Sequence, residues 1–225
     1  MLPRKDDPYL AEFVGIMLGD GSINRTYQNR IQITLNKNEK AYREHVVALV
    51  RKLFGIEPIV KFRKNENAVD IMIFRKFVID YLIDDVGLIE SPKWNRQVVP
   101  EIFMKNDMGR FILRGYFDTD GSVVITDNNG TTYPRIEMKV CPSPMKDSIV
   151  KILDDMGFRF GCYSIENGRF RIQMNGRSQA SKWLKEVGIM NPSQSERLSK
   201  IGIKESIAGV RFELTTFGCL RFLAL

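Results

Sequence analysis

The sequence has few cysteines, a single histidine and no long apolar run. Its three cysteines, Cys141, Cys162 and Cys219, are far apart and form no CxxC pair. An odd number of scattered cysteines argues against a disulfide framework or a cysteine-based zinc site and indicates reduced thiols. Neither an apolar leader nor an apolar run of roughly 18 residues occurs in the sequence. We therefore expect a soluble protein without a membrane partner, located in the cytoplasm or, in a eukaryote, in an organelle.

Nucleotide-binding and nucleophile signatures are also missing. Neither GxxxxGK[ST] nor GxGxxG occurs, which argues against a nucleotide cofactor. His45 lies within a predicted helix without a discernible Ser or Cys partner, so we expect it to be structural. Basic residues, by contrast, are plentiful: 34 Lys and Arg against 27 Asp and Glu give a net charge of +7. This excess favours a polyanionic partner, although charge alone does not identify one.

Two stretches of the chain repeat one pattern. They are FVGIMLGDG, which ends at Gly21, and LRGYFDTDG, which ends at Gly121. In each, a glycine is followed four residues later by a small residue and then at once by Asp-Gly. Asp120 follows Asp20 by 100 residues, and a repeat of that length indicates two similar halves.

The elements around each motif follow the same predicted order: helix, two strands, helix, two strands, helix. This order predicts an α+β fold of two pseudo-symmetric αββαββα subdomains with antiparallel sheets, packed through the two motif helices. We assign residues 1–90 to the first half, 91–107 to a connector, and 108–190 to the second half. Residues 191–225 form a C-terminal extension for which we find no counterpart in the first half.

Small residues recur on one stripe of each motif helix. Gly15 and Gly19 in the first, and Gly115 and Thr119 in the second, are four residues apart and would let the two helix backbones approach closely. Helices paired in this way bring the motif aspartates together at their C-terminal ends. Carboxylates and the unpaired carbonyls of helix ends suit a hard cation such as Mg²⁺. The alternative is an Asp-Gly that only ends a helix in a turn, but two matched motifs favour a metal site.

The motif pair and the repeated element order resemble the LAGLIDADG homing endonucleases in their single-chain, two-motif form, over roughly residues 8 to 190. The resemblance implies saddle-shaped sheets over duplex DNA and a monomer that promotes intron mobility. It implies metal-dependent cleavage of both strands at a long asymmetric target, leaving short 3′ overhangs, with Mg²⁺ as cofactor and Mn²⁺ as a substitute. Asp20 and Asp120 match the metal-binding acids, and Gly19 and Thr119 match positions whose carbonyls assist. Leu18 departs from the family pattern, whereas Asp118 retains it at a position that is usually structural.

Strand alternation predicts a polar face on each sheet. Arginine, glutamine and asparagine make bidentate contacts with base edges in the major groove, so we interpret these faces as DNA-reading surfaces rather than merely solvated ones. The predicted DNA-binding residues are Asn24, Arg30, Gln32, Thr34, Asn36, Lys61 and Arg63 in the first half, and Arg135, Glu137, Arg169, Arg171 and Gln173 in the second.

The resemblance further implies basic or amide groups around the metals. The candidates by position are Asn36 or Lys37, Lys139, Lys76 and Arg177, each of which is otherwise an ordinary solvated side chain. Trp94 and Trp183 are expected to be core or interface anchors rather than base-stacking platforms.

Two other functions stay open at this point. The family resemblance allows an RNA maturase whose partner is its host intron RNA, and a catalytically silent DNA-binding module is the third possibility. Retention of both acidic residues favours the nuclease over the silent module. Because no flanking intein splicing residues are evident, we expect a free-standing reading frame.

Overall fold

The structure is a computed structural model that describes residues 2–105 and 107–204. The elements of the first half are α1 (Pro8–Leu18), β1 (Gly21–Asn24), β2 (Arg30–Asn36), α2 (Lys40–Phe54), β3 (Ile59–Phe62), β4 (Ala68–Ile73) and α3 (Lys76–Asp80). The elements of the second half and of the C-terminal extension are α4 (Gly109–Asp120), β5 (Gly121–Asn128), β6 (Thr131–Val140), α5 (Met145–Asp155), β7 (Gly161–Ser164), β8 (Phe170–Asn175), α6 (Arg177–Glu186) and α7 (Pro192–Lys200). A π-helical turn extends α3 as far as Asp85.

The strands form two antiparallel sheets with matching topology. Their strand orders are β1-β2-β4-β3 and β5-β6-β8-β7. One face of each sheet packs on helices and holds buried apolar side chains, such as Ile33 and Ile71 in the first half and Met138 and Ile172 in the second. The opposite face, which we call the polar face, carries the intervening residues. The predicted α+β fold of two αββαββα subdomains is confirmed.

Helices α1 and α4 pack against each other at the centre of the molecule. Helix α1 is buried from Leu10 to Leu18, as expected of a helix that is apolar on all sides. A Cβ atom on Gly15 would lie 2.9 Å from the backbone nitrogen of Tyr116, and one on Gly115 would lie 2.8 Å from that of Ile16. Both glycines therefore lie where the two helix backbones come into contact.

Residues 191–204, the described part of the C-terminal extension, pack on the second half. Helix α7 packs against β5, where the side chain of Gln194 accepts a hydrogen bond from the backbone of Val123 at 2.9 Å. Residues 205–225 of the predicted extension, with Cys219, lie outside the described residues, whereas Cys141 and Cys162 carry free thiols. No helix in the described part of the chain is both long and apolar enough to cross a membrane.

Candidate functional site

The two motif aspartates lie next to each other at the C-terminal ends of α1 and α4. Gly19 faces Thr119, and a Cβ atom built on Gly19 would lie 3.2 Å from Oδ2 of Asp120. Asp20 is the next residue along the chain, and both aspartates are exposed on one side. Within residues 2–105 and 107–204, neither carboxylate receives a hydrogen bond. The arrangement leaves two open acceptors side by side.

The surroundings of the pair disfavour two full negative charges. Protein packed behind the carboxylate, and then the charge of Asp120, raise the pKa of Asp20 to about 7. Burial likewise raises the pKa of Asp120, while the charges of Lys93 and Arg169 oppose that rise. A bound cation would remove this repulsion.

One positive charge that acts on the pair belongs to a lysine of the connector that the sequence analysis did not select. Nζ of Lys93 donates to the carbonyl oxygens of Met17, Leu18 and Gly19 at 2.7, 2.9 and 2.7 Å. These oxygens are unpaired in the last turn of α1, so the ammonium satisfies them. Burial lowers the pKa of Lys93 to about 8, against the opposing attraction of Asp120 and Asp20. Gln97 supports the same helix end by donating to the carbonyl of Leu18.

A repeat in the sequence could have drawn attention to Lys93. The last helix of each half is followed by a similar segment, Ile89-Glu-Ser-Pro-Lys93 in one and Ile189-Met-Asn-Pro-Ser193 in the other. In the second half, Nδ2 of Asn191 donates to the carbonyl of Asp118 at 3.2 Å. Both segments thus bond the end of a motif helix, but only the first supplies a positive charge.

The side chain of Asp118 is buried and holds the second of these segments. Its two carboxylate oxygens accept from the backbone nitrogens of Met190 and Asn191 at 3.0 and 3.2 Å. Because burial outweighs these bonds, the pKa of Asp118 is raised to about 7.

The donor set of the aspartate pair fits a divalent cation. Two adjacent carboxylates without hydrogen-bond donors offer hard oxygen ligands with an open side for water or a phosphate. The carbonyl of Gly19 already accepts from Lys93, and a carbonyl oxygen has a second lone pair. Thr119 directs its hydroxyl back into α4, to the carbonyls of Gly115 and Tyr116. The two carboxylates therefore provide the main binding capacity.

The predicted basic residues are arranged differently from Lys93. Nζ of Lys76 pairs with Asp80 at 2.8 Å, and the guanidinium of Arg177 donates to the carbonyl of Ile201 at 2.6 Å. Lys37 and Lys139 are exposed. The positive charges that act on the aspartate pair come instead from Lys93 and Arg169.

On the first sheet, the polar face is organised around a buried carboxylate that the sequence analysis did not select. Asp70 in β4 accepts from Thr34 at 2.8 Å and from Gln32 at 3.0 Å. It also accepts from Nε and Nη2 of Arg63 at 2.8 and 2.9 Å. At the margin, Asn24 and Asn36 accept from backbone nitrogens of neighbouring turn residues, and Lys61 is exposed.

The polar face of the second sheet is more cationic. Nε of Arg135 forms an ion pair with Glu137 at 3.2 Å. In the part of the chain that the structure describes, Nε of Arg169, Nε of Arg171 and Oε1 of Gln173 are buried without a hydrogen-bond partner. Nε of Arg135 and Oε1 of Glu137 on the same face also lack a hydrogen bond among the described residues. Buried polar atoms are usually paired, so this face holds an unusual number of unsatisfied polar atoms.

The two tryptophans have different surroundings. Trp183 is fully buried and packs against Phe117 and Phe158. Trp94 is 43% exposed, lies under the guanidinium of Arg169 at 5.1 Å, and lines a cavity of about 240 Å³ beside Asp120.

Several solved structures share this fold. The homing endonuclease I-WcaI, bound to its DNA recognition sequence, matches with a TM-score of 0.60 and 17% identity, over 89% of this chain and 87% of that one. I-DmoI in complex with DNA and Mn matches with a TM-score of 0.56 and 12% identity, over 80% of this chain and 96% of that one. Full-length DUF199/WhiA from Thermatoga maritima matches with a TM-score of 0.56 and 14% identity, over 94% of this chain and 64% of that one. The chain therefore has the fold of the LAGLIDADG homing endonucleases, in the single-chain form with two motifs.

Several curated proteins with a similar sequence are much longer than this chain. A DNA polymerase of Thermococcus aggregans is 25% identical over an alignment of 228 positions that covers 88% of this chain and 11% of the polymerase. The replication factor C small subunit of Methanocaldococcus jannaschii is 30% identical over 114 residues, which are 51% of this chain and 6% of that protein. This chain thus spans about a tenth or less of the length of these relatives. No protein-family model matches it.

Proposed function

We propose that this protein is a site-specific endonuclease that uses divalent metal ions to cut both strands of a DNA duplex. The observation that carries the proposal is the adjacency of Asp20 and Asp120, two open carboxylates contributed by equivalent helix ends. Homing endonucleases of the same fold bind DNA, one of them with Mn, which supports the same partner and a divalent cation here. The finer features of the proposal are a monomeric enzyme, Mg²⁺ as the physiological ion, a long asymmetric target and short 3′ overhangs.

The residues of the site have separable roles in this reaction. A divalent cation, when bound, supplies a water of lowered pKa and stabilises the leaving oxygen. Asp20 and Asp120 would hold this cation through their open carboxylate oxygens. Lys93 adds a positive charge that is fixed by three hydrogen bonds, and such preorganised charge stabilises a phosphodiester that gains negative charge. The polar faces on either side bind the flanking duplex.

The sequence relatives support a mobile origin. Most of this chain matches a region within a DNA polymerase, and about half of it matches a region within a replication factor C subunit, which is a different kind of protein. A module that recurs in different hosts is consistent with an element that moves between genes by cutting them. We infer that cleavage promotes mobility of the element that encodes this protein, which is an intron in the interpretation from sequence.

The test is to incubate the purified protein with genomic DNA that contains an uninterrupted host allele, with and without Mg²⁺, and to sequence all new DNA ends. The proposal predicts paired ends with 3′ overhangs at one or a few loci, abolished by EDTA. Site-specific binding without Mg²⁺-dependent ends would contradict it and would favour the silent DNA-binding module.

A further inference from the structure

The two polar faces are related by the repeat, so their residues can be compared position by position. Ile71 pairs with Ile33, which pairs with Gly21; likewise Ile172 pairs with Met138, which pairs with Gly121. Counting from these pairs, Asp70 in the first sheet is equivalent to Arg171 in the second. In the same way, Thr34 is equivalent to Lys139, and Gln32 to Glu137. At the centre of the face, the first half has an acid where the second has a base.

In the first half, Asp70 accepts hydrogen bonds from the donors around it, so these donors are not available to another partner. A carboxylate only accepts, so Gln32 must point its amide nitrogen toward Asp70. That nitrogen lies 3.0 Å from Asp70 and 3.1 Å from the hydroxyl of Thr34, so both amide protons have acceptors. Nε and Nη2 of Arg63 are bound to Asp70, and Nη1 is bound to Glu66 at 3.0 Å. Among Gln32, Thr34 and Asp70, the atom without a hydrogen-bond partner in the described residues is the carbonyl oxygen of Gln32, an acceptor. The exposed Lys61 lies opposite Asp70 in the neighbouring strand but forms no hydrogen bond with this cluster.

In the second half, the equivalent centre is left with donors. Arg171 has no ion pair within the described residues, and its Nε lacks a hydrogen-bond acceptor there. Lys139, directly opposite Arg171 across the strand pair, is exposed. The ion pair of Glu137 is with Arg135, at 3.2 Å, and neither Lys139 nor Arg171 forms an ion pair with any of the described residues.

Base edges in the major groove differ in the hydrogen-bond donors and acceptors that they present, so a surface of acceptors and a surface of donors favour different bases. Guanine presents two acceptors, O6 and N7, to which arginine or lysine bind; cytosine N4 and adenine N6 present amino donors. Resting on the proposed function, we propose that Asp70 is a positioning residue that makes the first half select an amino-bearing base, adenine or cytosine, whereas Arg171 makes the second half select guanine at the equivalent position. The target is then asymmetric at this pair of positions because the central charges of the two faces are opposite.

The test is selection of bound sequences from a randomised duplex library with Ca²⁺ in place of Mg²⁺, using the full chain. Asp70→Asn and Arg171→Met are compared with the wild type, and thermal unfolding verifies that each variant is folded. For the wild type we expect guanine at one position and adenine or cytosine at its counterpart. Arg171→Met should lower the guanine enrichment about tenfold or more at its own position only. Asp70→Asn releases the guanidinium group of Arg63 and should shift the base preference at the position read by the first half toward guanine.

Each outcome has a distinct meaning. If Asp70 only stabilises the sheet, Asp70→Asn lowers affinity for all sequences equally and the base preference stays unchanged, which overturns its positioning role. If Asp70→Asn does not fold, Arg171→Met still decides the matter, because unchanged guanine enrichment overturns the inference. Enrichment of the expected bases by a protein that does not cut DNA would support this inference and contradict only the proposed nuclease. A library without any enriched sequence would overturn both.

Discussion

Nζ of Lys93 lies 2.7 Å from the carbonyl oxygen of Gly19, directly beside the motif aspartate Asp20. The same ammonium bonds two further carbonyls at the end of α1, so its position is fixed by the helix rather than by a flexible surface. Its charge acts on both motif aspartates. This placement makes Lys93 the first residue to test.

Replacing Lys93 with methionine should lower the single-turnover rate of DNA cleavage about 100-fold, because a preorganised positive charge is lost. DNA affinity, measured by gel shift in Ca²⁺, should change only a few-fold. The matched control is Lys76→Met, since Lys76 is paired with Asp80 on the surface. Equal losses of rate in the two variants would count against a special role for Lys93.

Binding of Mn²⁺ to the aspartate pair should depend on pH. The pKa of Asp20, raised to about 7, means that the carboxyl group keeps its proton up to near pH 7 and must release it to bind a cation. Mn²⁺ affinity should therefore rise between pH 6 and pH 8, with proton release that falls toward zero at the upper end. Calorimetry in two buffers of different ionisation enthalpy measures both quantities. An affinity that is constant over this range would refute the assignment.

Raised carboxyl pKa values also affect the stability of the folded chain, which should fall with rising pH, whereas Mn²⁺ affinity should rise. Without a cation, the folded chain holds a proton on Asp20, and on the buried Asp118, that the unfolded chain releases above its ordinary carboxyl pKa. These two groups should thus make the free energy of unfolding fall as the pH rises from about 4 to about 7.

The contact between α1 and α4 should tolerate no added volume. Gly115→Ala places a Cβ atom against the backbone of Glu12 and Ile16, and we expect a loss of about 1–3 kcal/mol in the free energy of unfolding. Urea denaturation measures it. Gly161→Ala in β7 is the control, because its Cβ atom would meet only the outer ring atoms of Tyr163, a side chain that is 46% exposed and can move aside. A control that loses as much as Gly115→Ala would refute the argument from backbone contact.

A buried ionic cluster joins the two halves. Oε1 of Glu12 contacts Nε2 of His45 and Oε2 contacts the guanidinium of Arg114, both at 2.5 Å. Burial opposes ionisation of Glu12, but the His45 hydrogen bond and the charge of Arg114 hold its pKa below the ordinary value. His45 therefore has the structural surroundings expected from the sequence.

Removing Glu12 should be costly because it leaves the buried Arg114 unpaired. Glu12→Ala should lower the free energy of unfolding by about 3–5 kcal/mol. The exposed pair of Arg51 and Glu57 offers a control, in which Glu57→Ala should cost at most about 1 kcal/mol. Similar values in urea denaturation for the two variants would show that the cluster contributes no more than a surface pair.

The parts of this molecule that could be predicted from the sequence are those with a period or a repeat. The alternation of Ile31, Ile33 and Leu35 predicted which face of β2 is buried, and the duplicated motif predicted the packing of α1 on α4. The alternation is local, and the repeat is visible by comparing two parts of the same chain, so one sequence is sufficient to detect both.

The sequence analysis missed Lys93 and Asp70 for two different reasons. Lys93 lies in the connector, where no periodicity relates it to the helix end that it bonds. Asp70 alternates with Ala68 and Met72 on the polar face, but its contact with Thr34 depends on the register between strands distant in sequence. Its contact with Arg63 depends on the register of the hairpin formed by β3 and β4. Arg63 was accordingly predicted to read bases, whereas its guanidinium is bound to Asp70 and Glu66.

The most direct measurement for the whole account is double-strand cleavage of the mapped target by Asp20→Asn and Asp120→Asn, each at a protein concentration that saturates the DNA. The account predicts that either substitution alone abolishes Mg²⁺-dependent cutting of both strands while the protein still binds the site. A variant that cuts both strands at the wild-type rate would contradict the assignment of these carboxylates to a shared metal site.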